Sequence, residues 1–449
     1  FVFGAMLLTL IGIIFFKLNP FHGKKTKYTF HWVLSNFMKS LIYIMANVKK
    51  KIINETGEDF SKPAVIIANH LSFLDILSLG MLNPKLIFLT NKWVWNSPVF
   101  GFVVRMADYY PVAEGAENSV EKLAQRVKEG YSVVIFPEGT RSVDGSIKRF
   151  HKGAFFLAEQ LQVDVLPIVL HGTGYCMTKG QFLLKDSQIT IKYLPRILPT
   201  DSKFGVAYAE RAKLMGRYFR EEYKLLAQEI QQPKYYKTHI HSDFIYKGPV
   251  LEWYMKIKLR LENYYKVFND LIPKSGKILD LGCGYGFLSY MMGYLSPARI
   301  ITGIDYDEDK IDIAQHGYSK GKNVNFLHRD VMEFEEDNYD AIVLSDVLHY
   351  LEPESQLKLL ERCVKNLSPG GVFVIRDGIK ELKDRHKGTR LSELFSTRIF
   401  AFNKTQKSGL SFISSDLIEK FAEAHQLSVS RIDQSKFTSN IIFSLRKSI

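Results

Sequence analysis

The sequence predicts two α/β domains in one chain. The chain has 449 residues, which is more than a single hydrophobic core usually serves. Short apolar runs alternate with amphipathic stretches, and this alternation is typical of a mostly parallel sheet covered by helices. The alternation occurs twice, on either side of a polar, proline-interrupted stretch at residues 233–249. With 46% hydrophobic and 24% charged residues, each half has the composition of an ordinary globular domain.

Residues 1–27 are predicted to form a transmembrane and juxtamembrane segment. The first 16 residues, Phe1 to Phe16, carry no charge, and as a helix they would span ~24 Å of the ~30 Å hydrocarbon core of a bilayer. We interpret them as a transmembrane helix cut off at its start, with a buried core helix as the alternative. Lysines follow at positions 17, 24, 25 and 27. The positive-inside rule then places the downstream domains in the cytoplasm, at the inner or cell membrane.

The first domain is predicted over residues 28–232. From Tyr28 to Lys51 the sequence reads as a helix with a wide apolar face, which either lies on the membrane surface or packs on the domain behind it. Pro167 falls in the fourth predicted strand, which indicates an edge strand or a bend that lines a cleft. The predicted elements are the strands AVIIAN, KLIFLT, SVVIFP and VDVLPIVL, the amphipathic helix SVEKLAQRVKEG among them, and a closing helix over about 206–231.

Residues 233–249 are predicted to be a linker, and residues 250–449 a second α/β domain. The predicted strands of this domain are KILDLG, IITGIDY, VNFLHRD, YDAIVLSD and GVFVIRD. Two further strands, LSVSRID and SNIIFSLRK, alternate apolar and polar residues, which is typical of an antiparallel edge. The two halves of the chain share no motif.

The charge and the cysteine content narrow the classes of partner. A net charge of +13 favours an anionic partner such as a membrane surface, a phosphorylated substrate or an acidic carrier protein. Aromatic residues make up 13% of the chain, many beside lysines in the first half, which favours a membrane interface over nucleic acid. Cys176, Cys283 and Cys363 are scattered, so neither a disulfide framework nor a metal site is predicted, and reducing, cytosolic surroundings are expected.

The stretch NHLSFLD places His70 and Asp75 directly after the apolar run AVIIA. A histidine at a strand end, with a carboxylate able to reach one ring nitrogen, is a candidate general base with a fixed tautomer. Such a base could deprotonate a hydroxyl that attacks a thioester, while Asp75 stabilises the imidazolium. The alternative is an ordinary packed histidine, because this pattern alone is not specific.

The stretch FPEGTRS follows another predicted strand, where a parallel sheet presents its ligand crevice. An arginine there suits a phosphate or a carboxylate. In this order and spacing, NHLSFLD, FPEGTRS and VLPIVL resemble three of the sequence blocks of the glycerolipid acyltransferases of the lysophosphatidate acyltransferase type, over about residues 28–231. The resemblance implies acyl transfer from acyl-CoA or acyl-carrier protein to a hydroxyl, usually of a lysophospholipid, with His70 as base and Asp75 as its partner. It also implies substrate-binding positions at Lys92, Glu138, Gly139, Thr140 and Arg141.

One block departs from the family pattern. The family has an arginine there that helps to hold the acceptor phosphate, whereas this sequence has Ala113 near that place, in ADYYPVAEG. The reaction type is therefore better supported than the acceptor. A lysophosphatidate, an unusual lipid and an aryl-polyene ester all remain open as acceptors.

The stretch LDLGCGYG follows a predicted strand and precedes a predicted helix. Its glycines allow a tight turn and close approach of the backbone to a ligand, and Asp305 ends the next strand, where a carboxylate meets a ribose in such folds. The series resembles the class I S-adenosylmethionine-dependent methyltransferases, a Rossmann-like family, over about residues 240–449. The resemblance implies S-adenosyl-L-methionine as cofactor, with Asp305 at the ribose, Asp330 near the adenine, and the methionine moiety bordered by Asp280, Gly282, Gly284 and Gly286.

Two residues after the fourth strand are candidates for a methyl-acceptor site. His349 could act as a substrate base or could be a packed side chain, and Tyr350 lies beside it. The sequence lacks an NPPY-like motif, which disfavours adenine or glutamine nitrogen as the acceptor. A small-molecule or lipid-like acceptor is therefore expected.

Together the motifs predict a membrane-associated, bifunctional enzyme: a glycerolipid-acyltransferase-like α/β domain followed by a Rossmann-like class I methyltransferase domain. The alternative is an active methyltransferase whose acyltransferase-like domain serves only for membrane docking. The domain order resembles the C-terminal part of bacterial fusions that begin with an exporter, so an upstream exporter domain of the same polypeptide is a further expectation.

Overall fold

The computed structural model describes residues 24–98, 100–111, 116–142, 145–181, 183–382, 385, 411–433 and 439–448. The chain divides into two compact units, Phe1–Ile230 and Gln231–Ile449. Each unit contains a seven-stranded sheet. The fold class is therefore the predicted one, two α/β domains.

The first unit is built on a mostly parallel sheet with strand order β1-β7-β6-β2-β5-β3-β4. Strand β6 pairs in parallel with β2 and antiparallel with β7, so β7 and its parallel neighbour β1 run against the other strands. The central strands β2 and β5 are buried along their whole length, as the uniformly apolar runs predicted. The strands are β1 Val48–Ile53, β2 Ala64–Ala68, β3 Leu86–Thr90, β4 Tyr110–Pro111, β5 Ser132–Ile135, β6 Asp164–His171 and β7 Ser187–Tyr193.

Helices accompany these strands. They are α1 Lys24–Ile44, α2 Leu74–Gly80, α3 Lys92–Trp95, α4 Gly101–Met106, α5 Ala116–Lys128, α6 Gly153–Leu161, α7 Thr173–Cys176 and α8 Tyr208–Ile230. The helix predicted to run from Tyr28 to Lys51 differs from the observed one, because α1 ends at Ile44 and the next residues enter β1. One face of α1 is buried in the core through Phe30, Leu34, Met38 and Ile42. The opposite face exposes large aromatic and aliphatic side chains: Tyr28, Trp32, Tyr43 and Ile44.

Pro167 lies in an interior strand, so the predicted edge position is wrong. Strand β6 has β2 on one side and β7 on the other. The carbonyl of Pro167 accepts a hydrogen bond from the N–H of Leu194, just beyond β7. The missing N–H of Pro167 therefore points toward the end of β7, where regular pairing stops, and the proline removes no bond from the parallel pair with β2.

The second unit has strand order β10-β9-β8-β11-β12-β14-β13. Strands β8 to β12 are parallel, and β14 pairs antiparallel with both β12 and β13. This confirms the predicted antiparallel edge. The strands are β8 Gly276–Leu281, β9 Arg299–Asp305, β10 Val324–His328, β11 Tyr339–Ser345, β12 Leu367–Gly378, β13 Leu427–Ile432 and β14 Asn440–Lys447. The helices are α9 Pro233–Phe244, α10 Pro249–Leu261, α11 Tyr265–Leu271, α12 Phe287–Leu295, α13 Glu308–Gln315, α14 Pro353–Lys365 and α15 Ser415–Ala424.

Residues 233–249 differ from the predicted linker, because most of them form α9. Proline at the first helical position suits a helix start, since its missing N–H would have no partner there. Tyr236, Ile240 and Phe244 of α9 are buried in the core of the second unit. This helix was not predicted from the sequence, because many of its apolar positions are aromatic and are interspersed with lysine and histidine.

No helix in the part of the chain that the structure describes is long and apolar enough to cross a bilayer. The predicted transmembrane helix, Phe1 to Phe16, lies outside the described residues. The last residues of the predicted juxtamembrane segment belong to α1. Lys27 there forms a 2.7 Å ion pair with Asp108 of the same unit.

Candidate active sites

The two motifs of the first unit meet because they follow neighbouring parallel strands. His70 lies two residues after β2, and Glu138 lies three residues after β5. Strands β2 and β5 pair in parallel, with Ile67 opposite Ile135. Their carboxyl ends therefore open on the same edge of the sheet, where ligands bind in folds of this kind.

His70 and Asp75 form a hydrogen-bonded pair. The Nδ1 atom of His70 lies 3.1 Å from Oδ2 of Asp75. Asp75 is fully buried, and the same oxygen accepts the backbone N–H groups of Leu71 and Ser72 at 2.6 and 2.7 Å. The helix start at Leu74 puts Asp75 in the first turn of α2, so the loop wraps around its carboxylate.

This geometry assigns the roles of the two ring nitrogens of His70. A carboxylate oxygen only accepts hydrogen bonds, so Nδ1 carries the proton that faces Asp75. Nε2 then keeps its lone pair and is the atom able to accept a proton. The ring of His70 also stacks on Phe136 with centroids 4.0 Å apart and planes 17° apart, which fixes the orientation of the imidazole.

Glu138 holds the backbone of the His70 loop. One of its carboxylate oxygens accepts the N–H of His70 at 2.8 Å, and the other accepts the N–H of Lys148 at 2.8 Å. Burial raises the pKa of Glu138, while these two backbone hydrogen bonds act to lower it. Glu138 is therefore placed as a positioning residue, whereas the family resemblance implied contact with the acceptor.

Three of the other predicted substrate-binding residues follow Glu138 directly in the chain, and the fourth, Lys92, follows β3. Gly139 has φ +71°, a left-handed conformation that favours glycine. Thr140 is exposed, Arg141 is half-buried, and the carbonyl of Arg141 accepts a hydrogen bond from Nζ of Lys179 at 3.2 Å. Lys92 is exposed at the start of α3, and the described residues show no hydrogen bond or ion pair between it and His70.

Several supporting residues escaped the sequence interpretation. The side-chain amide of Asn69 both donates to the carbonyl of Leu170 and accepts from its N–H, each at 2.8 Å, so the loop is tied to β6. The hydroxyl of Ser72 donates to the carbonyl of Met177 at 2.7 Å. Asn69 and Ser72 belong to the motif NHLSFLD, so their closeness to His70 in the sequence could have indicated this supporting role.

The glycine-rich loop of the second unit connects β8 to α12. The N–H groups of Gly282 and Cys283 both donate to the carbonyl of Ile304 in β9, at 2.7 and 2.9 Å. Gly282, Gly284 and Gly286 all have positive φ, which explains why this loop needs glycine. The loop therefore crosses from the carboxyl end of β8 to that of β9.

Two buried carboxylates border this loop. Asp305 accepts the N–H of Gly284 on Oδ2 at 2.8 Å and the N–H of Asp307 on Oδ1 at 2.9 Å. Asp280 accepts the hydroxyl of Ser289 at 2.5 Å. Burial raises the pKa of Asp280 to about 6; the Ser289 hydrogen bond opposes this, and the charge of Asp305 adds to it.

The space available for a side chain differs between two glycines of this loop, and alanine substitutions test the difference. A Cβ at Gly286 would lie 2.3 Å from the ring of Phe326, whereas a Cβ at Gly284 would meet no atom within 4 Å. We expect Gly286→Ala to destabilise the second unit by roughly 2–5 kcal/mol, from the left-handed φ plus overpacking. Gly284→Ala should cost only about 1–2 kcal/mol, from its φ alone. Urea unfolding followed through Trp253 fluorescence, with the other tryptophans replaced by phenylalanine, measures both.

A ligand bound in the open space at Gly284 would meet the added methyl group, so Gly284→Ala should weaken ligand binding more than it weakens the fold. Equal unfolding free energies for the two variants would contradict this division of roles.

The other three predicted site residues of the second unit differ from one another in their exposure to solvent. Asp330 is exposed, and its Oδ1 accepts the N–H of Met332 at 2.8 Å. His349 is buried, with Nδ1 2.6 Å from Oδ1 of Asp377. Tyr350 is half-buried, with its ring centroid 4.2 Å from that of His349. The burial of His349 favours the packing role over that of a substrate base.

A second charged cluster stands at the switch point of the sheet and was missed from sequence. Strands β8 and β11 are neighbours, and the chain leaves them in opposite directions, which is where such sheets bind ligands. Asp346 follows β11 with φ +58° and pairs with Arg376. The guanidinium of Arg376 lies 4.2 Å from the ring centroid of Tyr264. Asp346 has a left-handed backbone conformation although it is not glycine, and this conformation cannot be read from the sequence.

Lys258 of α10 belongs to the same surroundings. Burial acts to lower its pKa, but the charges of Tyr254, Glu262, Tyr264 and Asp346 outweigh burial, so its pKa lies well above the ordinary value. The charge of Lys258 also acts to lower the pKa of Asp280. Tyr254 of the same helix packs against Tyr285 of the glycine-rich loop, with ring centroids 6.1 Å apart, so one side of α10 lies beside the crevice at the carboxyl end of β8.

Two protein-family models match the regions that contain these two sites. Residues 47–171, which contain the His70 pair and Glu138, match the family model described as Acyltransferase, and residues 278–371, which contain the glycine loop and Asp305, match the one described as Methyltransferase domain. The chain carries an acyltransferase domain followed by a methyltransferase domain.

The acyltransferase domain is similar to named plant enzymes. It is 39% identical over 122 residues to the chloroplastic 1-acyl-sn-glycerol-3-phosphate acyltransferase BAT2 of Brassica napus, a match that covers 26% of this chain and 36% of that protein. It is 32% identical over 170 residues to the 1-acyl-sn-glycerol-3-phosphate acyltransferase of Cocos nucifera, covering 36% of this chain and 54% of that protein. The chain thus spans only part of the length of these relatives.

Solved structures resemble each domain. The 1-acyl-sn-glycerophosphate acyltransferase PlsC of Thermotoga maritima aligns with a TM-score of 0.41 and 21% identity, covering 50% of this chain and 97% of that one. The N-methyltransferase NodS of Bradyrhizobium japonicum aligns with a TM-score of 0.28 and 20% identity, covering 39% of this chain and 88% of that one.

The methyltransferase domain has a cradle into which S-adenosylmethionine fits. The backbone at Gly284 faces open space. A carboxylate has about four acceptor sites, and Asp305 uses two of them for backbone N–H groups. The remaining two are sufficient for the two hydroxyls of a ribose.

Proposed function

We propose that the acyltransferase domain transfers an acyl group from a thioester, acyl-CoA or acyl-carrier protein, to the hydroxyl of a lipid-like acceptor. The observation that carries this proposal is the pair formed by His70 and the buried Asp75 at the carboxyl ends of β2 and β5. The pair leaves Nε2 of His70 as a base at the edge of the sheet where ligands bind.

In the proposed reaction, Nε2 of His70 takes the proton of the acceptor hydroxyl as its oxygen attacks the thioester carbonyl. The C–S bond then breaks, and the departing thiolate takes the proton from the imidazolium, so that an ester and a free thiol are formed. Asp75 stabilises the imidazolium through Nδ1–H, and its two backbone donors keep it in place. A protein nucleophile is not required, because the acceptor itself attacks.

The acceptor is proposed to carry a phosphate. Arg141 lies at the rim of the His70 site with Lys179 bonded to its carbonyl, and two cations suit a phosphate. The named relatives act on 1-acyl-sn-glycerol-3-phosphate. Ala113, where the family has an arginine, lies outside the described residues, so the rim cations Arg141 and Lys179 are the proposed substitutes.

We propose that the methyltransferase domain binds S-adenosylmethionine, which supplies an electrophilic methyl group when bound. Asp305 would accept the ribose hydroxyls, the backbone at Gly284 would lie against the cofactor, and Asp280 would face its methionine moiety. Asp346, Arg376 and Tyr264 stand at the switch point and would orient the acceptor. A small or lipid-like acceptor is proposed.

We propose that the chain works at the cytoplasmic surface of a membrane. The support lies in the net charge of +13 and in the exposed aromatic side chains of α1, Tyr28, Trp32 and Tyr43. Aromatic rings beside lysines suit the headgroup region of a bilayer. An exporter domain upstream in the same polypeptide stays a prediction.

Lipid mass spectrometry tests the two activities together. Cells that express the chain should contain lipids that have gained an acyl chain and lipids that have gained a methyl group, relative to cells without it. His70→Ala should remove only the acyl products, and Asp305→Ala only the methyl products. If His70→Ala leaves acyl products at the wild-type level while methyl products persist, the first domain is a docking module and the acyl-transfer proposal is wrong.

A further inference from the structure

The second unit contains a basic cavity that neither proposed reaction uses. Its volume is about 770 Å³, and it lies between α9, α10 and the start of α11. Five cationic side chains line it: Lys234, Lys237, Lys256, Arg260 and Lys266. Among the described lining residues Glu262 is the one carboxylate, and it is already paired with Lys258 at 3.5 Å and with the hydroxyl of Tyr265. The cavity is therefore strongly cationic and suits an anion.

The floor of this cavity is apolar. Pro233, Leu259 and Tyr265 line it and are buried. Lys237 lies across the floor, with Nζ 3.0 Å from the carbonyl of Glu262 and 5.8 Å from the ring centroid of Tyr265. Apolar surface below a cationic rim suits an amphiphilic anion better than a fully hydrated one.

The outer face of α10 continues the same pattern. Val250 is 52% exposed, Trp253 is 65% exposed, and Lys256 and Arg260 are also exposed. These residues follow one another at intervals of three or four, so they share one face of the helix. Tyr246, 90% exposed, precedes the helix. The exposed tryptophan and valine on this helix face, together with the exposed tyrosine before the helix, form an apolar patch of the kind that marks an interaction site.

We propose that this face of α10 and the cavity beside it bind the surface of a bilayer that contains anionic phospholipid. The cavity takes a phosphate headgroup between Lys256, Arg260 and Lys266, and Trp253 and Val250 enter the interfacial layer. Exposed apolar side chains distinguish this occupant from a soluble phosphate, which would leave them in water. Trp and Tyr are the side chains enriched at the level of lipid headgroups.

The location of this surface has a consequence for methyl transfer. Tyr254, on another side of α10, packs against Tyr285 of the glycine-rich loop with ring centroids 6.1 Å apart, so the lipid surface and the crevice lie on two sides of one helix, ~10–12 Å in diameter. A lipid acceptor could thus reach the methyltransferase domain from the bilayer. This consequence rests on the proposed methyl transfer, whereas lipid binding at α10 does not.

Trp253 fluorescence tests the lipid surface in the whole chain. The protein has four tryptophans, and Trp253 is the one in the second unit, so replacing Trp32, Trp93 and Trp95 with phenylalanine leaves a single reporter. Phosphatidylglycerol-containing vesicles should shift its emission to the blue, and lipids with brominated acyl chains should quench it. Phosphatidylcholine vesicles should have little effect. The response should weaken at high salt.

Charge variants identify the site. Lys256→Gln with Arg260→Gln should raise the lipid concentration for half the Trp253 response on the order of tenfold or more. The matched control is Lys322→Gln with Lys358→Gln, which removes the same charge from exposed positions elsewhere in the unit and should have a much smaller effect. Circular dichroism and urea unfolding show whether both pairs of variants keep the fold, independently of the proposed cofactor binding.

Three outcomes would overturn the proposal. In the first, Trp253 emission stays unchanged on anionic vesicles. In the second, both pairs of variants weaken the response equally, so that only net charge matters. In the third, glycerol 3-phosphate in solution reproduces the spectral shift, so that the cavity binds a soluble anion and not a bilayer. Loss of methyl transfer alone would leave the proposal intact, since the fluorescence signal does not depend on catalysis.

Discussion

His70→Ala should lower the rate of acyl transfer by a factor on the order of 10²–10⁴, because the reaction loses its general base. The fold should persist, since the ring of His70 is partly exposed and its backbone bonds to Glu138 and Ser142 do not need the side chain. Asp75→Asn should be similarly damaging, because an amide can present N–H to Nδ1 and so favour the wrong tautomer. The measurement is acyl transfer to a lysophospholipid by the purified chain.

The control for this substitution is His316→Ala, which removes an exposed histidine of the second unit and should leave acyl transfer at the wild-type rate. Near-normal acylation by purified His70→Ala would show that the assignment of the base is wrong. Circular dichroism separates lost chemistry from lost fold. Rescue of the His70→Ala rate by added imidazole would further support the base role.

Asp305→Ala should weaken the binding of S-adenosylmethionine by at least ten- to a hundredfold. Unpairing the ribose hydroxyls from a charged acceptor costs roughly 1.5–3 kcal/mol. The structure adds a second cause, because Asp305 also holds the N–H groups of Gly284 and Asp307. Isothermal calorimetry measures the affinity directly.

The control for Asp305 is Asp312→Ala, which removes an exposed carboxylate from α13 and should leave the affinity unchanged. Asp305→Asn is a graded variant, since it keeps one acceptor oxygen and should bind more tightly than Asp305→Ala. Cofactor binding by Asp305→Ala at the wild-type affinity would show that the cofactor site is misassigned.

Much of the fold follows from local patterns in the sequence. Strand β2, AVIIA, is buried at every position, and a continuous apolar run between turn signals predicts such a strand. Strands β13 and β14 were predicted from alternation, and their antiparallel pairing is observed, but their burial does not alternate. Strand β14, between β12 and β13, is buried at five successive positions, and β13 is mostly exposed. In β2 the pattern reports burial directly, whereas in β13 and β14 it identified the strands but not the positions that are buried.

Other elements depended on contacts that the sequence does not display. α1 ends at Ile44 because the chain must turn into β1, whose partner β7 lies more than a hundred residues later. Pro167 was misplaced because strand order, and hence which strands are interior, is a tertiary property. α9 was interpreted as a linker because its aromatic residues find their partners in α12, as Tyr236 does in Tyr294.

The candidate sites divide in the same way. His70, Asp75, Asp280 and Asp305 were predictable because each lies within a motif at a strand end. The positioning role of Glu138 was not, because it depends on backbone donors supplied by two separate loops. Asp346 and Arg376 were missed because their pairing joins the ends of two neighbouring strands and has no fixed spacing in the sequence.

The central claim is that one chain contains two independent active sites, and paired labelling tests it most directly. The wild type, His70→Ala and Asp305→Ala are each given a labelled acyl thioester and methyl-labelled S-adenosylmethionine, and both labels are measured in the extracted lipid. The sites lie in separate compact units, so each variant should lose one label and keep the other. Loss of both labels in either variant would contradict the claim and show that the two sites are coupled.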